Sequence, residues 1–152
     1  MNNITIENAR IIYRNFAGKE TKYNPPGRRN FSVILEEEMA LVLKEDGWNV
    51  KPLKKRDESD PQRYHLPVAV VFGPYPPKMV IVQGGRKTVL TEESVSMLDW
   101  ADLENVDLII RPRVWDRGIK AYFKCGYFTI EENELDRKYA DPEPEEDEDI
   151  PF

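Results

Sequence analysis

Basic and aromatic side chains alternate with apolar ones along two segments near residue 120. Residues two apart on a β-strand point to the same face, so each segment predicts a strand with one apolar face and one face of cations and rings. The residues of the second face are Arg111, Arg113, Trp115, Lys120, Tyr122 and Lys124. Cations bind phosphate groups, and aromatic rings stack on bases with a gain of roughly 1–3 kcal/mol per base. The pattern therefore predicts a surface for single-stranded nucleic acid; the alternative is an ordinary solvated sheet face.

Gly126 interrupts the second of these segments. Phe128 and Ile130 are apolar but fall on the same parity as the basic residues. Because an extra residue in one strand moves all later side chains to the opposite face, we expect a bend or register shift at Gly126.

A second set of rings and cations lies in and beside the first long loop. Its candidate nucleic-acid contacts are Arg14, Phe16, Lys19, Lys22, Tyr23, Arg28 and Arg29. Tyr13 and Phe31 are alternatively core residues, and Val33 and Leu35 on the same parity favour the core for Phe31. Further along the chain, Trp48 and Lys51 are candidate contacts, although Trp48 fits the core equally well.

The composition argues against most enzyme classes. The chain has one cysteine, Cys125, and one histidine, His65, so the residues favour neither a zinc site nor a catalytic triad. No glycine-rich phosphate loop and no nucleophile motif is present. Asp99, Asp102 and Asp107 leave open a metal-dependent nuclease, but surface acids of this kind are common. We expect no enzymatic activity, no metal and no cofactor.

The elements that carry these residues are mostly strands. Runs of β-type pattern cover 4–13, 28–35, 48–53, 64–72, 78–83, 87–90, 106–115 and 119–130, with helices at 36–46 and 92–98. Pro67 suggests that the strand over 64–72 is an edge strand or carries a bulge. The order predicts a mainly β fold, a small antiparallel barrel with one or two short helices; a β-sandwich is the alternative.

The charge divides the chain into two parts. Residues 1–130 carry a formal charge of +3 and residues 131–152 carry −9. The second part contains prolines and acids and little to bury, so we expect a largely disordered acidic tail after a binding domain at 1–130.

The tail ends in a short motif with separate properties. Its residues are Asp147, Glu148, Asp149, Ile150, Pro151 and Phe152. Phe152 can fill an apolar pocket on a partner while the acids meet basic residues around it. A tethered polyanion also competes with nucleic acid for a cationic surface, so we expect the tail to weaken binding.

This terminal motif resembles the acidic tip of bacterial single-stranded DNA-binding proteins, which recruits replication, recombination and repair proteins. The body is similar instead to single-stranded DNA-binding proteins of bacteriophages. The segments that carry this resemblance are 14–19, 24–31, 45–50, 98–101 and 105–112. The resemblance implies an oligonucleotide-binding (OB) barrel that coats single-stranded DNA without sequence preference.

The sequence therefore predicts a phage-type protein of replication or recombination that binds single-stranded DNA and recruits partner proteins through its tip. An interaction module that binds only proteins is the alternative. The lone cysteine and the lack of an apolar leader or span favour the cytoplasm, that of a bacterial host for a phage protein. The residues leave the oligomeric state open, including a homo-oligomer.

Overall fold

The structure, a computed structural model, describes residues 2–131. This part of the chain forms nine strands, one α-helix and one 3-10 helix. The strands are β1 (Ile4–Ile6), β2 (Ile11–Asn15), β3 (Arg29–Leu35), β4 (Lys51–Pro52), β5 (Tyr64–Val70), β6 (Lys78–Gln83), β7 (Arg86–Val89), β8 (Leu103–Trp115) and β9 (Gly118–Ile130). The helix α1 spans Glu37–Asp46, and the 3-10 helix spans Val95–Asp99. The mainly β prediction is confirmed, and the acidic tail from residue 132 onward lies outside the described residues.

The strands form one mixed sheet in the order β1-β8-β9-β5-β3-β2. β8 and β9 are the predicted hairpin and pair antiparallel over almost their full lengths. β9 also pairs in parallel with β5 and then with β6, whereas the sequence led us to expect antiparallel pairing only. The long β9 therefore joins the two halves of the sheet.

A cluster of phenylalanines fills the centre of the core. The rings of Phe16 and Phe31 stack with their centroids 5.1 Å apart. Phe123 packs edge-on against Phe31 at 5.5 Å, and Phe128 packs edge-on against Phe16 at 6.1 Å. Two strands, β3 and β9, and the first loop thus contribute to one aromatic core, which directs the opposite faces of β3 and β9 toward solvent.

Helix α1 lies where the sequence predicts it. Glu37 and Glu38 occupy its first turn, and Gly47 ends it in the left-handed conformation at φ +105°. The carbonyl of Gly47 accepts a hydrogen bond from the N–H of Ile119 at 2.9 Å. The end of the helix is thereby attached to the start of β9.

Two strand predictions differ from the structure. The predicted first strand over 4–13 is two strands, separated by a turn in which Asn8 has φ +52°. Pro67 lies on an interior strand and not at an edge. Tyr64 and His65 pair with β4, and Val68 and Ala69 pair with β9. Pro67 lies between these two pairings and takes part in neither, so the N–H that proline lacks costs the sheet little hydrogen bonding there.

The register shift predicted at Gly126 is present. Ile110 pairs with Phe123 and Ile109 pairs with Cys125, so Lys124 is the extra residue of a β-bulge. Beyond the bulge, Gly126 and Phe128 turn to the buried face. Within residues 2–131, no helix is long and apolar enough to cross a membrane.

Candidate nucleic-acid interface

The outward face of the β8–β9 hairpin carries the predicted cations and rings. Arg111 lies opposite Tyr122, and Arg113 lies opposite Lys120. Of the inward residues of the same stretch, Ile110, Ile119, Ala121 and Phe123 are buried, whereas Val114 near the hairpin turn is 65% exposed. The alternation in the sequence therefore produces one continuous basic and aromatic face, as predicted.

The cations on this face lie over the rings. The guanidinium carbons of Arg111 and Arg113 are 4.8 and 5.6 Å from the centre of the Tyr122 ring. Arg113 also donates a hydrogen bond to the Tyr122 hydroxyl at 3.1 Å. Lys120 and Arg117 lie 5.2 and 5.6 Å from the Trp115 ring, which is 42% exposed. These contacts are worth roughly 0.5–1 kcal/mol each at exposed sites, enough to order the side chains but not to block a ligand.

Small side chains continue this face across the sheet. Ala69 of β5 is the register neighbour of both Tyr122 of β9 and Asn30 of β3. In the next row, Pro67 of β5 pairs with Ser32 of β3. Because these side chains are small, the surface beside the Tyr122 ring is recessed, and it forms the floor of an open groove.

This groove has a volume of about 810 Å³. The loop over residues 23–29 forms one wall, and Lys120 and Tyr122 form the other. Its basic residues, within the described chain, are Arg28, Arg29, Lys51 and Lys120, and its acid is Glu92. Glu92 forms an ion pair with Arg29 at 3.4 Å, which leaves the remaining cations to give the groove a positive potential.

A polar cluster lies just beyond the Lys51 end of the groove. The Nδ1 atom of His65 is hydrogen-bonded to the Ser32 hydroxyl at 2.9 Å, and Tyr13 packs edge-on against the His65 ring. Burial, and secondarily the ammonium of Lys51, lowers the pKa of His65 below 6.5. His65 is therefore neutral at pH 7 and holds Ser32 and Tyr13 in place.

Three of the predicted contact residues have other roles in the structure. Phe16 is fully buried and Trp48 is 4% exposed, so the prediction that their rings stack on bases is wrong for this conformation. Arg14 donates hydrogen bonds to the carbonyls of Leu98 and Ala101 at 2.9 and 2.8 Å. Its guanidinium therefore ties β2 to the 3-10 helix.

The other predicted residues of the first loop lie at the surface. Tyr23 is 88% exposed, and Lys22 lies 5.7 Å from the centre of its ring. The side chain of Asn24 donates to the carbonyls of Lys19, Pro25 and Arg28, which fixes the shape of the loop. Lys19 is exposed but does not line the groove, and Lys124 is exposed on the bulge of β9.

Arg29 combines structural and surface roles. It donates a hydrogen bond to the carbonyl of Phe16 at 2.7 Å, and its guanidinium lies 5.5 Å from the centre of the Phe72 ring. Since the side chain is only 20% exposed, it shapes the wall of the groove more than it offers a free cation.

Two of the three acids considered for a metal site, Asp99 and Asp107, accept hydrogen bonds within the fold. The carboxylate of Asp99 accepts hydrogen bonds from the N–H groups of Phe16 and Ala17, and that of Asp107 accepts one from Asn8. In the part of the chain that the structure describes, no three His, Cys, Asp or Glu side chains are grouped so as to hold a metal ion.

Some residues in and beside the groove are not indicated as contacts by the sequence pattern. Pro67 and Ala69 form its floor, Asn49 lines its Lys51 end, and Tyr13 stands just beyond that end. Small floor residues have no chemical signal of their own. Their place could be found only from the pairing of β5 with β3 and β9. The terminal motif Asp147–Phe152 lies outside the described residues.

Comparison with known proteins agrees with this geometry. The sequence matches the family described as "Putative phage ssDNA-binding domain" over residues 1–151. No curated protein matches the sequence at a significant level. Among solved structures, the single-stranded DNA-binding protein of bacteriophage Enc34 in complex with ssDNA has a TM-score of 0.51 and 11% identity, covering 86% of this chain and 88% of that one. This similarity supports the predicted OB fold.

Two further structures of the Enc34 protein also match. The C-terminal truncation has a TM-score of 0.49 and 11% identity, covering 86% of this chain and 87% of that one. The untruncated protein has a TM-score of 0.47 and 14% identity, covering 91% and 87%. The match to the family model spans nearly the whole sequence, and the chain belongs to the phage single-stranded DNA-binding domain family.

Proposed function

We propose that this chain binds single-stranded DNA, without sequence preference, along the groove and the outward face of the hairpin. Arg111, Arg113 and Lys120 contact phosphates, and Tyr122 and Trp115 stack on bases. The observation that carries the proposal is the continuity of the cation-and-ring face with an open groove whose floor is made of small side chains. Bases can enter such a groove only when they are not paired.

The groove has few groups that could read a base sequence. The side-chain amide of Asn30 donates to the Asn24 side chain and to the carbonyl of Arg28. The Asn24 amide is likewise used within the loop. Rings and cations remain as the main contacts, and both accept any base or phosphate. The Enc34 protein with a similar fold was solved with ssDNA, which also supports this function.

Fluorescence titration with an oligothymidine tests the proposal. Trp115 is exposed on the hairpin, whereas Trp48 is buried, so stacking should quench the Trp115 emission. A Trp115→Phe variant should retain binding but lose most of the quenching. If the protein shows neither quenching nor a gel shift at low salt, it does not bind single-stranded DNA, and the alternative of a protein-only interaction module is favoured.

We propose further that residues 131–152 recruit replication or recombination proteins. The acids and Phe152 together suit a partner with an apolar pocket surrounded by basic residues. The role is one of binding and presentation without catalysis, in the cytoplasm of a bacterial host. A peptide of the last residues, compared with one lacking Ile150-Pro151-Phe152, should retain host replication proteins on a column, and equal retention by both peptides contradicts a specific tip.

A further inference from the structure

Tyr13 has a backbone conformation that is unusual for its residue type. Its φ is +53°, in the left-handed region where residues other than glycine, asparagine and aspartate are uncommon. Ile12 pairs with Ser32 and Asn15 with Asn30, so Tyr13 and Arg14 together lie opposite one residue of β3. This is a β-bulge, and a left-handed bulge position is normally occupied by glycine. A tyrosine here strains the backbone, which calls for a reason beyond the fold.

The core does not supply that reason. The Tyr13 side chain is 65% exposed. Its main ring contact is with His65, at a centroid distance of 5.5 Å and an interplanar angle of 77°. The bulge therefore holds a large aromatic ring in a fixed place with most of its surface in solvent.

The ring stands on the groove side of the sheet. His65 shares a strand face with Pro67 and Ala69, two residues of the groove floor. His65 is also hydrogen-bonded to Ser32, which lines the groove. Tyr13 thus lies one residue row beyond the end of the groove, in line with its floor.

A cation accompanies the ring. Lys51 of β4 pairs with His65 in the sheet register and lines the same end of the groove. Tyr13 and Lys51 both lie beside His65, and they repeat there the combination of ring and cation found on the hairpin. The chemistry suited to this pair is again a base next to a phosphate.

We propose that Tyr13 is a base-stacking residue, and that the DNA track leaves the groove past Lys51 and crosses the bulge of β2. This inference rests on the proposed function and extends its binding site. The His65–Ser32 hydrogen bond positions the ring, and the strained backbone presents it to the strand.

Glycine at position 13 provides the sharpest test. Tyr13→Gly removes the ring but suits the left-handed backbone, so its thermal midpoint should equal or exceed that of the wild type. Its affinity for long oligothymidines should fall about fivefold, the lower end of the range for one stacked base. Tyr13→Phe should bind like the wild type. Trp100→Ala is the matched control, because Trp100 is 75% exposed but does not line the groove.

Binding is measured by fluorescence anisotropy with oligothymidines of about 4 to 16 nucleotides, the range of OB-fold site sizes. The Tyr13→Gly defect should appear only when the oligonucleotide is long enough to pass from the groove to β2. A loss no larger than that of Trp100→Ala, or an equal loss in Tyr13→Phe, overturns the inference while the proposed function stands. If the wild type binds no oligothymidine, the proposed function fails first.

Discussion

Tyr122 is held by two arginines in the free protein. Arg111 and Arg113 both lie within 6 Å of its ring centre, and Arg113 is hydrogen-bonded to its hydroxyl. The arrangement keeps two cations ordered at the position where the sugar-phosphate backbone of a bound DNA strand would pass. An ordered cation loses less side-chain freedom on binding than a freely rotating one, so this part of the face is partly pre-organised.

Arg111→Ala should weaken binding to oligothymidine and reduce its salt dependence. Each phosphate contact to a single strand contributes about −0.7 to the slope of log affinity against log salt concentration. The slope of Arg111→Ala should therefore be smaller in magnitude than that of the wild type by about this amount. Lys44→Ala, on the exposed side of α1, is the control and should leave the slope unchanged. Equal slopes for the wild type, Arg111→Ala and Lys44→Ala would show that Arg111 does not contact a phosphate.

His65 makes the stability of the domain depend on pH. Its pKa in the folded state lies below the ordinary 6.5, so the unfolded chain binds the proton more readily. The contribution of neutral His65 to the stability of the fold is fully present above pH 6.5, and it is lost as the pH falls through the folded-state pKa. Urea unfolding at about pH 7.5 and about pH 5.5 should show a larger loss of stability for the wild type than for His65→Gln. If His65→Gln loses as much stability between these two pH values as the wild type does, the pH effect comes from other groups.

At the scale of elements, the bulge in β9 depends on Gly126. A Cβ atom there would lie 2.4 Å from Cζ of Phe123 and 3.0 Å from Cε1 of Phe128. Gly126→Ala should therefore push the aromatic core apart and destabilise the domain by about 1–3 kcal/mol in urea unfolding. Gly73→Ala is the matched control, since its nearest neighbour would be 4.0 Å away, and it should change stability by less than about 0.5 kcal/mol. Similar stabilities of the two variants would contradict the packing role of Gly126.

The β8–β9 hairpin was the element most predictable from sequence. Its strands are long enough for the period of two to be read over several residues, and apolar Phe128 on the basic parity indicated the shift at Gly126. Shorter elements were less predictable. The turn at Asn8 splits the first strand without a glycine or proline, and the parallel neighbours of β9 depend on contacts that no local pattern records.

The candidate binding residues could be predicted from sequence for the same reason, and only where they lie on a long strand. Arg111 and Tyr122 follow from strand parity. Phe16 does not lie in a strand, so no period showed that its ring turns inward to stack on Phe31. The sequence indicated that Arg14 is a cation free to bind DNA, because the carbonyls to which it donates, on Leu98 and Ala101, lie more than 80 residues away in sequence. The sequence left undecided whether Tyr13 lies in the core or at the surface, because the β-bulge in β2 changes the face to which its side chain points.

At the scale of the whole molecule, charge is divided between a cationic domain and an anionic segment. Residues 1–130 carry +3 and residues 131–152 carry −9, on one chain. A segment tethered to the domain acts at a high effective concentration, so we expect the acids to compete with DNA phosphates for the same cations. Salt screens this competition because the Debye length falls to about 10 Å at 0.1 M.

Removal of Asp141–Phe152 should therefore raise the affinity for oligothymidine, most strongly at low salt. This deletion removes seven acids and no basic residue. Removal of Ile150-Pro151-Phe152 alone keeps all seven acids, so it should leave DNA affinity unchanged while partner retention is lost. Anisotropy titrations of the three proteins across a salt series separate the two roles. Equal low-salt affinity of the long deletion and the full chain would show that the tail does not compete for the groove, and a gain from the short deletion would assign the competition to Phe152 and not to the charge.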